Sequence, residues 1–376
     1  MSLFVNFCRE MIQETKQEIC HFRVRAVDSI AFLTYRCTSQ CRTCNIWKRC
    51  SNPSDEMNVQ QWEQVVDRLA SYGIRSFEVF GGDALLRKDA IFRIVQRCRE
   101  RGIETYFPTN AILCDRETIR DLIDAGLGTV YLSIDDVEED HDQIRGKEGT
   151  FRRICQALED FSDLRGNREK PHIVICTTLS RMNFRNFPRL VKFLEKYPVN
   201  AIYPRPLGEF SRENICNSLV DGVSPDPYFA PSDGQSHLMN PKEMEEMRDI
   251  FRAMRRRPGN VYINWRSYYA TSDATFLKGE YPLRHCHIAS TLPTINPNGD
   301  VIPCPFFRDY VIGNLSRQGL EKIWGGDKHK IFLQYQKAGK IAICRNCNTR
   351  VYYPSMNESL VYYFRRALEM TGLVRT

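Results

Sequence analysis

The sequence lacks the features that mark membrane, secreted and nucleic-acid-binding proteins. Over 376 residues no apolar run approaches the ~18 residues of a membrane-spanning helix. The N-terminal stretch MSLFVNFCREMIQETKQE carries Arg and Glu where a secretory signal needs an apolar segment. The longest basic run, Arg255–Arg257, is too short for a nucleic-acid-binding arm. We therefore expect a cytoplasmic protein with no membrane span and no nucleic-acid partner.

Low-complexity segments and internal repeats are also missing, which favours an ordinary globular protein. Hydrophobic residues make up 42% and charged residues 26% of the chain, so there is enough apolar material for a large core. The length suits one large domain and a smaller one. The net charge of +7 is mild, and it fits a solvated surface, an anionic substrate or an acidic electron donor such as a flavodoxin.

Cysteine, in contrast, is abundant. The chain has 15 cysteines, and disulfides are not expected in the cytoplasm. Seven of the cysteines fall into spacings typical of metal ligands. Most of the others read as small buried apolar residues.

Between residues 29 and 206, short apolar runs alternate with amphipathic segments of helical periodicity. The predicted strands are Ser29–Thr34, Ser76–Phe80, Glu104–Phe107, Thr129–Ser133, Ile173–Thr177 and Ala201–Pro204. The predicted helices are Val59–Ser71, Ala90–Glu100, Glu117–Ala125, Thr150–Leu164 and Phe187–Lys196. This alternation predicts parallel strands with helical crossovers. Six units are too few for a closed eight-stranded barrel, so we expect an α/β fold with a partial (β/α)6 TIM-like barrel and a site at the carboxyl ends of its strands.

Outside these repeating units, the chain is expected to form terminal helices, a linker and a small second domain. Segment 207–240 is rich in Pro, Gly, Ser and Asp and too long for an ordinary connection, which indicates a lid or a linker. The predicted units are an N-terminal helix over 1–27, the barrel over 28–240, a helical linker over 241–282, a small cysteine-rich α+β cluster-binding module over 283–350 and a C-terminal helix over 351–376.

The first cysteine group, Cys37, Cys41 and Cys44, lies in the loop after the first predicted strand. Thiolates are the usual ligands of iron–sulfur clusters, and four of them close a four-iron cluster. Three cysteines on one loop would leave one iron open to a small molecule. A zinc site is the alternative, with Cys50 available as a fourth ligand.

The spacing Cys-x3-Cys-x2-Cys on this loop resembles the signature of the radical S-adenosylmethionine (radical SAM) superfamily. The resemblance implies a [4Fe-4S] cluster whose open iron binds the amino and carboxylate groups of S-adenosyl-L-methionine (SAM). Reductive cleavage of SAM would then give a 5′-deoxyadenosyl radical that abstracts hydrogen from a substrate. The family also implies reduced flavodoxin or ferredoxin as the electron donor.

Three further stretches match this family at later strand ends. They resemble the Gly-Gly-Glu motif that meets the methionine amino group, a Thr-Asn-Gly motif, and a Ser-Ile-Asp-Gly…Arg-Gly pattern whose Ser and Arg contact the methionine carboxylate. Asp83 stands in place of the usual glutamate, and Thr43 stands where relatives carry an aromatic residue beside the adenine. The SAM-binding residues that the resemblance implies are Gly81, Gly82, Asp83, Thr109, Asn110, Ser133, Asp135 and Arg145.

A second set of four cysteines lies far along the chain, in the pattern Cys286-x12-Gly299-x4-Cys304 followed by Cys344-x2-Cys347. Asn-Pro-Asn-Gly before Asp300 is a strong hairpin signal. A structural zinc ribbon is one interpretation of four such cysteines. The pattern also resembles the twitch module and the first half of the SPASM domain, which implies one auxiliary [4Fe-4S] cluster closed by these four residues.

A closed auxiliary cluster can accept an electron but cannot easily bind substrate through iron, which favours an oxidation. The chain thus resembles twitch-bearing enzymes of the 2-deoxy-scyllo-inosamine dehydrogenase type. We expect a small polar substrate, such as a sugar, cyclitol, nucleoside or lipid-linked group. Tyr203 and Arg205, at the end of the sixth strand, are the candidate catalytic residues, and an ion pair at the barrel rim is the alternative for Arg205. Tyr35 and Arg36 lie beside the first cysteine loop as further candidate contacts.

Other functions remain open at the sequence level. The same two cluster modules occur in radical SAM maturases of ribosomally made peptides. Many of these carry an N-terminal recognition domain, whereas only 27 residues precede the barrel here, which lowers that expectation. A redox-neutral epimerase and a non-enzymatic zinc or iron–sulfur protein are the remaining alternatives.

Overall fold

The computed structural model of the protein describes residues 19, 23–49, 51–231, 234–256, 259–281, 286–352, 360, 362 and 364. The predicted terminal helices over 1–27 and 351–376 lie almost entirely outside these residues. Within the described part of the chain, no helix is both long and apolar enough to cross a membrane.

All six predicted barrel strands are present, with ends within two residues of the prediction. They are β1 (Asp28–Phe32), β2 (Ser76–Phe80), β3 (Glu104–Thr109), β4 (Thr129–Ser133), β5 (His172–Leu179) and β6 (Ala201–Pro206). Each strand pairs in parallel with the next along the chain. The sheet does not close on itself, because β6 forms one edge and β1 continues into another strand. The predicted partial α/β barrel is therefore confirmed.

The described helices include all five that were predicted between the barrel strands, together with others that the sequence analysis did not single out. They are α1 (Val59–Tyr72), α2 (Lys88–Glu100), α3 (Arg116–Ala125), α4 (Glu138–Arg145), α5 (Thr150–Arg165), α6 (Phe187–Leu194), α7 (Arg212–Cys216), α8 (Pro241–Arg256), α9 (Arg266–Tyr269), α10 (Asp273–Lys278), α11 (Ile288–Thr291) and α12 (Asp327–Lys337). Short 3₁₀ turns occur at Ile46–Lys48, Pro53–Asp55, Ala84–Arg87, Leu320–Lys322, Ala342–Arg345 and Thr349–Tyr352.

Local sequence signals explain where helices such as α1 begin and end. Asn58 caps its N-terminus in a reciprocal capping box with Gln61, which satisfies two backbone donors. Gly73 ends it in a left-handed conformation at φ 106° that glycine adopts without strain. Trp62 and three aliphatic residues of α1 are fully buried against the sheet.

Residues along each strand alternate between the helical layer and the barrel lumen. In β2, Phe77 and Val79 are fully buried under the helices, whereas Ser76, Glu78 and Phe80 line a cavity within the barrel. The same alternation holds around the sheet. The lumen therefore receives every second side chain of the barrel strands.

The cysteine-rich segment continues the barrel sheet instead of standing apart from it. Its strands are β7 (Thr294–Ile295), β8 (Asp300–Ile302) and β9 (Gly313–Asn314). β7 pairs in parallel with β1 and antiparallel with β8, which confirms the predicted hairpin. Because β1 would otherwise expose an unpaired edge, this pairing both covers it and brings the second cysteine set beside the first.

Candidate active site

The first cysteine loop leaves β1 and gathers its three thiols at the carboxyl end of the barrel. Cys41 is buried, and Cys37 and Cys44 are partly buried. The amide of Ser39 approaches the Cys37 sulfur at 3.5 Å, and the amide of Ile46 approaches the Cys44 sulfur at the same distance. Backbone amides aimed at sulfur favour the thiolate form.

Burial of the cysteine side chains disfavours the negatively charged thiolate form. It raises the pKa of the Cys37 and Cys44 thiols to about 12, and the neighbouring Cys41 adds to the rise. A thiol in this environment keeps its proton at neutral pH unless a cation replaces it, as iron does in an iron–sulfur cluster. The donor set thus fits a bound cluster. Among the described residues, no group of three His, Cys, Asp or Glu side chains is arranged to hold a single metal ion.

The Gly-Gly-Asp turn after β2 lies directly against this loop. The Gly82 amide donates to the Thr34 carbonyl at 2.9 Å, and the Asp83 amide donates to the Arg36 carbonyl at 2.8 Å. A Cβ on Gly82 would lie 2.2 Å from the Arg36 carbonyl oxygen. Only glycine permits that approach, so this turn and the cysteine loop are fixed against each other.

Asp83 itself points away from the lumen. Its carboxylate accepts hydrogen bonds from the Thr38 hydroxyl and, at 3.2 Å, from the Leu85 amide. Gly81 and Gly82 line the cavity, whereas Asp83 does not. Asn110, after β3, donates to the Thr38 and Ser39 hydroxyls at 3.0 Å each. The side chains of Asp83 and Asn110 therefore brace the cysteine loop.

The residues after β4 form a buried ion pair behind the loop. Arg145 lies 2.8 Å from the Asp135 carboxylate and 3.9 Å from the Cys41 sulfur. Burial raises the pKa of Asp135, and the Arg145 guanidinium opposes that rise. Ser133, Arg145 and Thr109 line the cavity, and Asp135 does not. Arg145 is thus the one charged residue of this motif that faces the expected SAM site.

The four later cysteines converge beside the hairpin. The thiols of Cys286, Cys344 and Cys347 all act electrostatically on Cys304, whose pKa is raised first by burial and then by these neighbours. All four are partly buried. Cys304, Cys344 and Cys347 pack against the same aromatic cluster as Cys37 and Cys44. The two cysteine sets therefore flank one core.

Comparisons with known proteins agree with this geometry. The family model for the radical SAM superfamily matches residues 32–194, and the model for the SPASM iron–sulfur cluster-binding domain matches residues 286–348. The chain therefore contains a radical SAM domain followed by a SPASM domain. Its second cysteine set lies within the SPASM domain, and the two domains together imply SAM and iron–sulfur clusters as cofactors.

Curated relatives are of several kinds. The chain is 34% identical over 128 residues to the PqqA peptide cyclase of Methylocella silvestris, which covers 34% of each protein. It is 24% identical over 347 residues to the AdoMet-dependent heme synthase of Methanosarcina barkeri, covering 85% of this chain and 90% of that one. The matched part spans about two fifths of several other relatives.

Among solved structures, SuiB of Streptococcus suis bound to SAM has a similar fold. The TM-score is 0.61 at 16% identity, over 85% of this chain and 72% of SuiB. At this level of identity the likeness shows a shared fold.

The lumen of the radical SAM domain forms one cavity of about 1050 Å³. Tyr203 and Arg205 line it, as predicted, whereas Tyr35 and Arg36 do not. The Tyr35 hydroxyl instead donates to Asn296 at 2.7 Å, which ties the cysteine loop to the SPASM hairpin. Pro305 and Asn348 of the SPASM domain line the cavity, as do Thr349 and Val351 directly after that domain.

Sequence reasoning missed several residues of the lumen. The rings of Tyr106 and Tyr131 stack at 6.0 Å, and Tyr131 lies 6.4 Å from Tyr203. Glu78 on β2 and Cys176 on β5 also face the cavity. A charged residue that alternates with Phe77 and Val79 in a buried strand was the available signal for Glu78.

The described residues of segment 207–240, which was expected to be a lid or a linker, pack between the two cysteine sets. The Asn45 amide donates to the Tyr228 carbonyl at 2.8 Å, and the Asp226 amide donates to the Phe306 carbonyl at 2.7 Å. The Tyr228 ring lies 5.3 Å from the Phe306 ring. Tyr228 therefore bridges the first cysteine loop and the SPASM domain while forming part of the cavity wall.

Proposed function

We propose that this chain is a radical SAM enzyme that oxidises a side chain of a ribosomally made peptide. The observation that carries the proposal is the shared cavity, because residues of the radical SAM barrel, of segment 207–240 and of the SPASM domain all line it. Its volume of about 1050 Å³ lies at the upper end of small-ligand cavities, which leaves room for a peptide side chain beside SAM.

Relatives support a peptide over the small polar substrate that the sequence favours. The PqqA peptide cyclases act on a peptide by name, and a SuiB structure contains the precursor peptide SuiA. The number of residues before the barrel is no argument against this substrate, since recognition can reside in a separate protein.

In this proposal the two cysteine sets bind two clusters, and residues at the strand ends bind SAM. Cys37, Cys41 and Cys44 hold a [4Fe-4S] cluster, while Gly81, Gly82, Ser133 and Arg145 face SAM. When bound, this cluster and SAM supply the 5′-deoxyadenosyl radical that removes a hydrogen atom from the substrate. Cys286, Cys304, Cys344 and Cys347 hold an auxiliary [4Fe-4S] cluster. Reduced flavodoxin or ferredoxin is the proposed electron donor.

Two observations favour a second candidate, oxidation of a small polar molecule. Arg205 places a positive charge in the lumen where it can bind a carboxylate. The AdoMet-dependent heme synthase aligns with 85% of this chain.

The two candidates can be separated by offering both substrate classes to the anaerobically reconstituted protein with SAM and dithionite. One pool contains synthetic copies of the short peptides encoded beside the gene, and the other contains sugars, cyclitols, nucleosides and porphyrin carboxylates. We expect 5′-deoxyadenosine formation to rise with a peptide, which should lose two hydrogen atoms. Conversion of a small molecule alone would reject the peptide proposal. A product of unchanged mass that gains deuterium from D2O would indicate epimerisation.

A further inference from the structure

Glu78 occupies an unusual position for a carboxylate. It lies in the middle of β2, beside Ile30 of β1 and Tyr106 of β3 in the strand register. Its remaining exposure is to the lumen cavity. Buried carboxylates are costly unless they are paired or used, so its presence at the centre of the barrel requires an explanation.

The positive charge that acts on Glu78 is Arg205, which lies on β6 in another part of the sheet. Its guanidinium lies over the Tyr203 ring at 5.4 Å and donates a hydrogen bond to the Cys176 sulfur. Burial raises the pKa of Glu78 to about 7, and Arg205 limits that rise. Glu78 can therefore both hold and release a proton near neutral pH.

Three titratable groups that interact electrostatically with Glu78 keep their protons at this pH. Burial raises the pKa of Tyr131 on β4 and of Tyr228 in segment 207–240 well above the ordinary value, and Glu78 contributes to both rises. Burial also raises the pKa of Cys176 on β5. Among these neighbours, Glu78 is the group suited to proton exchange in the physiological range.

We propose that Glu78 is the proton acceptor of the reaction, touching the substrate in the lumen; this assignment rests on the proposed oxidation. The substrate carbon that bears a hydroxyl or amine gives a hydrogen atom to the 5′-deoxyadenosyl radical. The adjacent O–H or N–H gives its proton to the Glu78 carboxylate. One electron passes to the auxiliary iron–sulfur cluster, and a C=O or C=N bond forms.

The first test needs no substrate. Difference infrared spectra of the cluster-loaded enzyme are recorded against pH for the wild type and E78Q. We expect a carboxyl band that titrates near pH 7 in the wild type and is absent from E78Q. Arg205→Gln should move its midpoint upward, and Glu104→Gln, which alters another lumen carboxylate, should leave the band in place. A midpoint near the ordinary glutamate value of 4.5 would overturn the proposal.

The second test uses the peptide converted by the wild type in the pool described above. In E78Q we expect oxidised product to fall about hundredfold while 5′-deoxyadenosine still forms, and E78D should restore part of the product. Wild-type product formation should rise with pH through about 7. A higher KM with unchanged kcat in E78Q would show that Glu78 only anchors the substrate, which contradicts the proposal. If no peptide is converted, the proposed function fails, whereas the infrared titration still decides the protonation behaviour of Glu78.

Discussion

Gly82 shows how a residue without a side chain can position a cofactor site. A Cβ at this position would lie 2.2 Å from the Arg36 carbonyl oxygen, so Gly82→Ala must push the turn after β2 away from the cysteine loop. We expect the reconstituted G82A protein to bind SAM about tenfold more weakly than the wild type. Equilibrium dialysis with labelled SAM measures this difference.

The matched control is Gly326→Ala. A Cβ at Gly326 would lie 3.2 Å from the Ile323 carbonyl oxygen, and the residue lies outside the cavity lining. G326A should bind SAM as the wild type does. Equal SAM affinity of G82A and the wild type would show that the close approach of the two loops does not shape the site.

The buried pair Asp135–Arg145 makes a prediction about stability. The side chains are 2% and 14% exposed, and their charged atoms lie 2.8 Å apart. Asp135→Asn leaves the Arg145 charge buried without its partner, so the free energy of unfolding should fall by about 3 kcal/mol. Chemical denaturation measures it. Asp249→Asn breaks a pair of the same 2.8 Å length on the surface and should change stability little; equal losses would contradict the argument.

At the scale of elements, Arg49 links the chain after the first cysteine loop to the described part of segment 207–240. The Arg49 guanidinium lies 3.0 Å from the Asp226 carboxylate and over the rings of Tyr35 at 5.0 Å and Tyr228 at 5.3 Å. Arg49→Gln removes the ion pair and both cation–π contacts. We expect faster hydrogen exchange in the peptides covering 45 and 226–229, with the barrel strands unchanged.

Lys48→Gln is the control for that experiment, because Lys48 lies next to Arg49 but is exposed and contacts Trp47. It should leave exchange in segment 207–240 as in the wild type. Unchanged exchange in R49Q would mean that the backbone bonds of Tyr228 and Asp226 suffice to hold the segment.

The regular elements could be predicted because their signals are local. Strand alternation and caps such as Asn58 depend on neighbours in sequence. The α4 helix was missed because its acidic sequence buries only His141 and Ile144 and so shows little periodicity. The place of segment 207–240 could not be predicted, since it depends on long-range contacts such as Tyr228 with Phe306.

The candidate site likewise has features that the sequence predicts and features that it does not. Motif spacing located the cysteines and the SAM-facing turn, but the bracing role of Asp83 depends on a bond to Thr38 that only the folded chain defines. Glu78 was missed because its alternation with Phe77 and Val79 marks one side of β2 as polar but does not tell a lumen-facing side from a solvent-facing one. Its chemistry arises from Arg205, which lies far away along the chain.

At the scale of the whole molecule, the two cysteine sets are expected to bind separate clusters. Double substitution Cys344→Ser and Cys347→Ser should lower the iron content of the reconstituted protein from about eight to about four atoms per chain. SAM cleavage should persist, because the first cysteine set is intact, while oxidised product is lost. Iron analysis and 5′-deoxyadenosine assays measure the two effects.

Cys216→Ser is the control for that experiment, since Cys216 is exposed and belongs to neither set. Its iron content should equal that of the wild type. Loss of nearly all iron from the double variant would show that the two sets do not load independently, despite their separate positions on either side of the aromatic core.

Glu78, as a buried proton acceptor in the barrel lumen, should also lower the free energy of unfolding of the whole molecule. Because burial raises the pKa of Glu78 from 4.5 to about 7, the folded protein retains a proton between these pH values that the unfolded chain has lost. Unfolding then releases a proton, so rising pH favours the unfolded state.

Relative to E78Q, the free energy of unfolding of the wild type should fall by up to about 3 kcal/mol as pH rises from 4.5 to 7. Denaturation of both proteins at pH 5 and pH 8 measures this difference, and a pH-independent difference would contradict it. This loss of stability is expected for a carboxylate that takes part in the reaction, because a neutral glutamine of the same size would leave the folded protein more stable above pH 7.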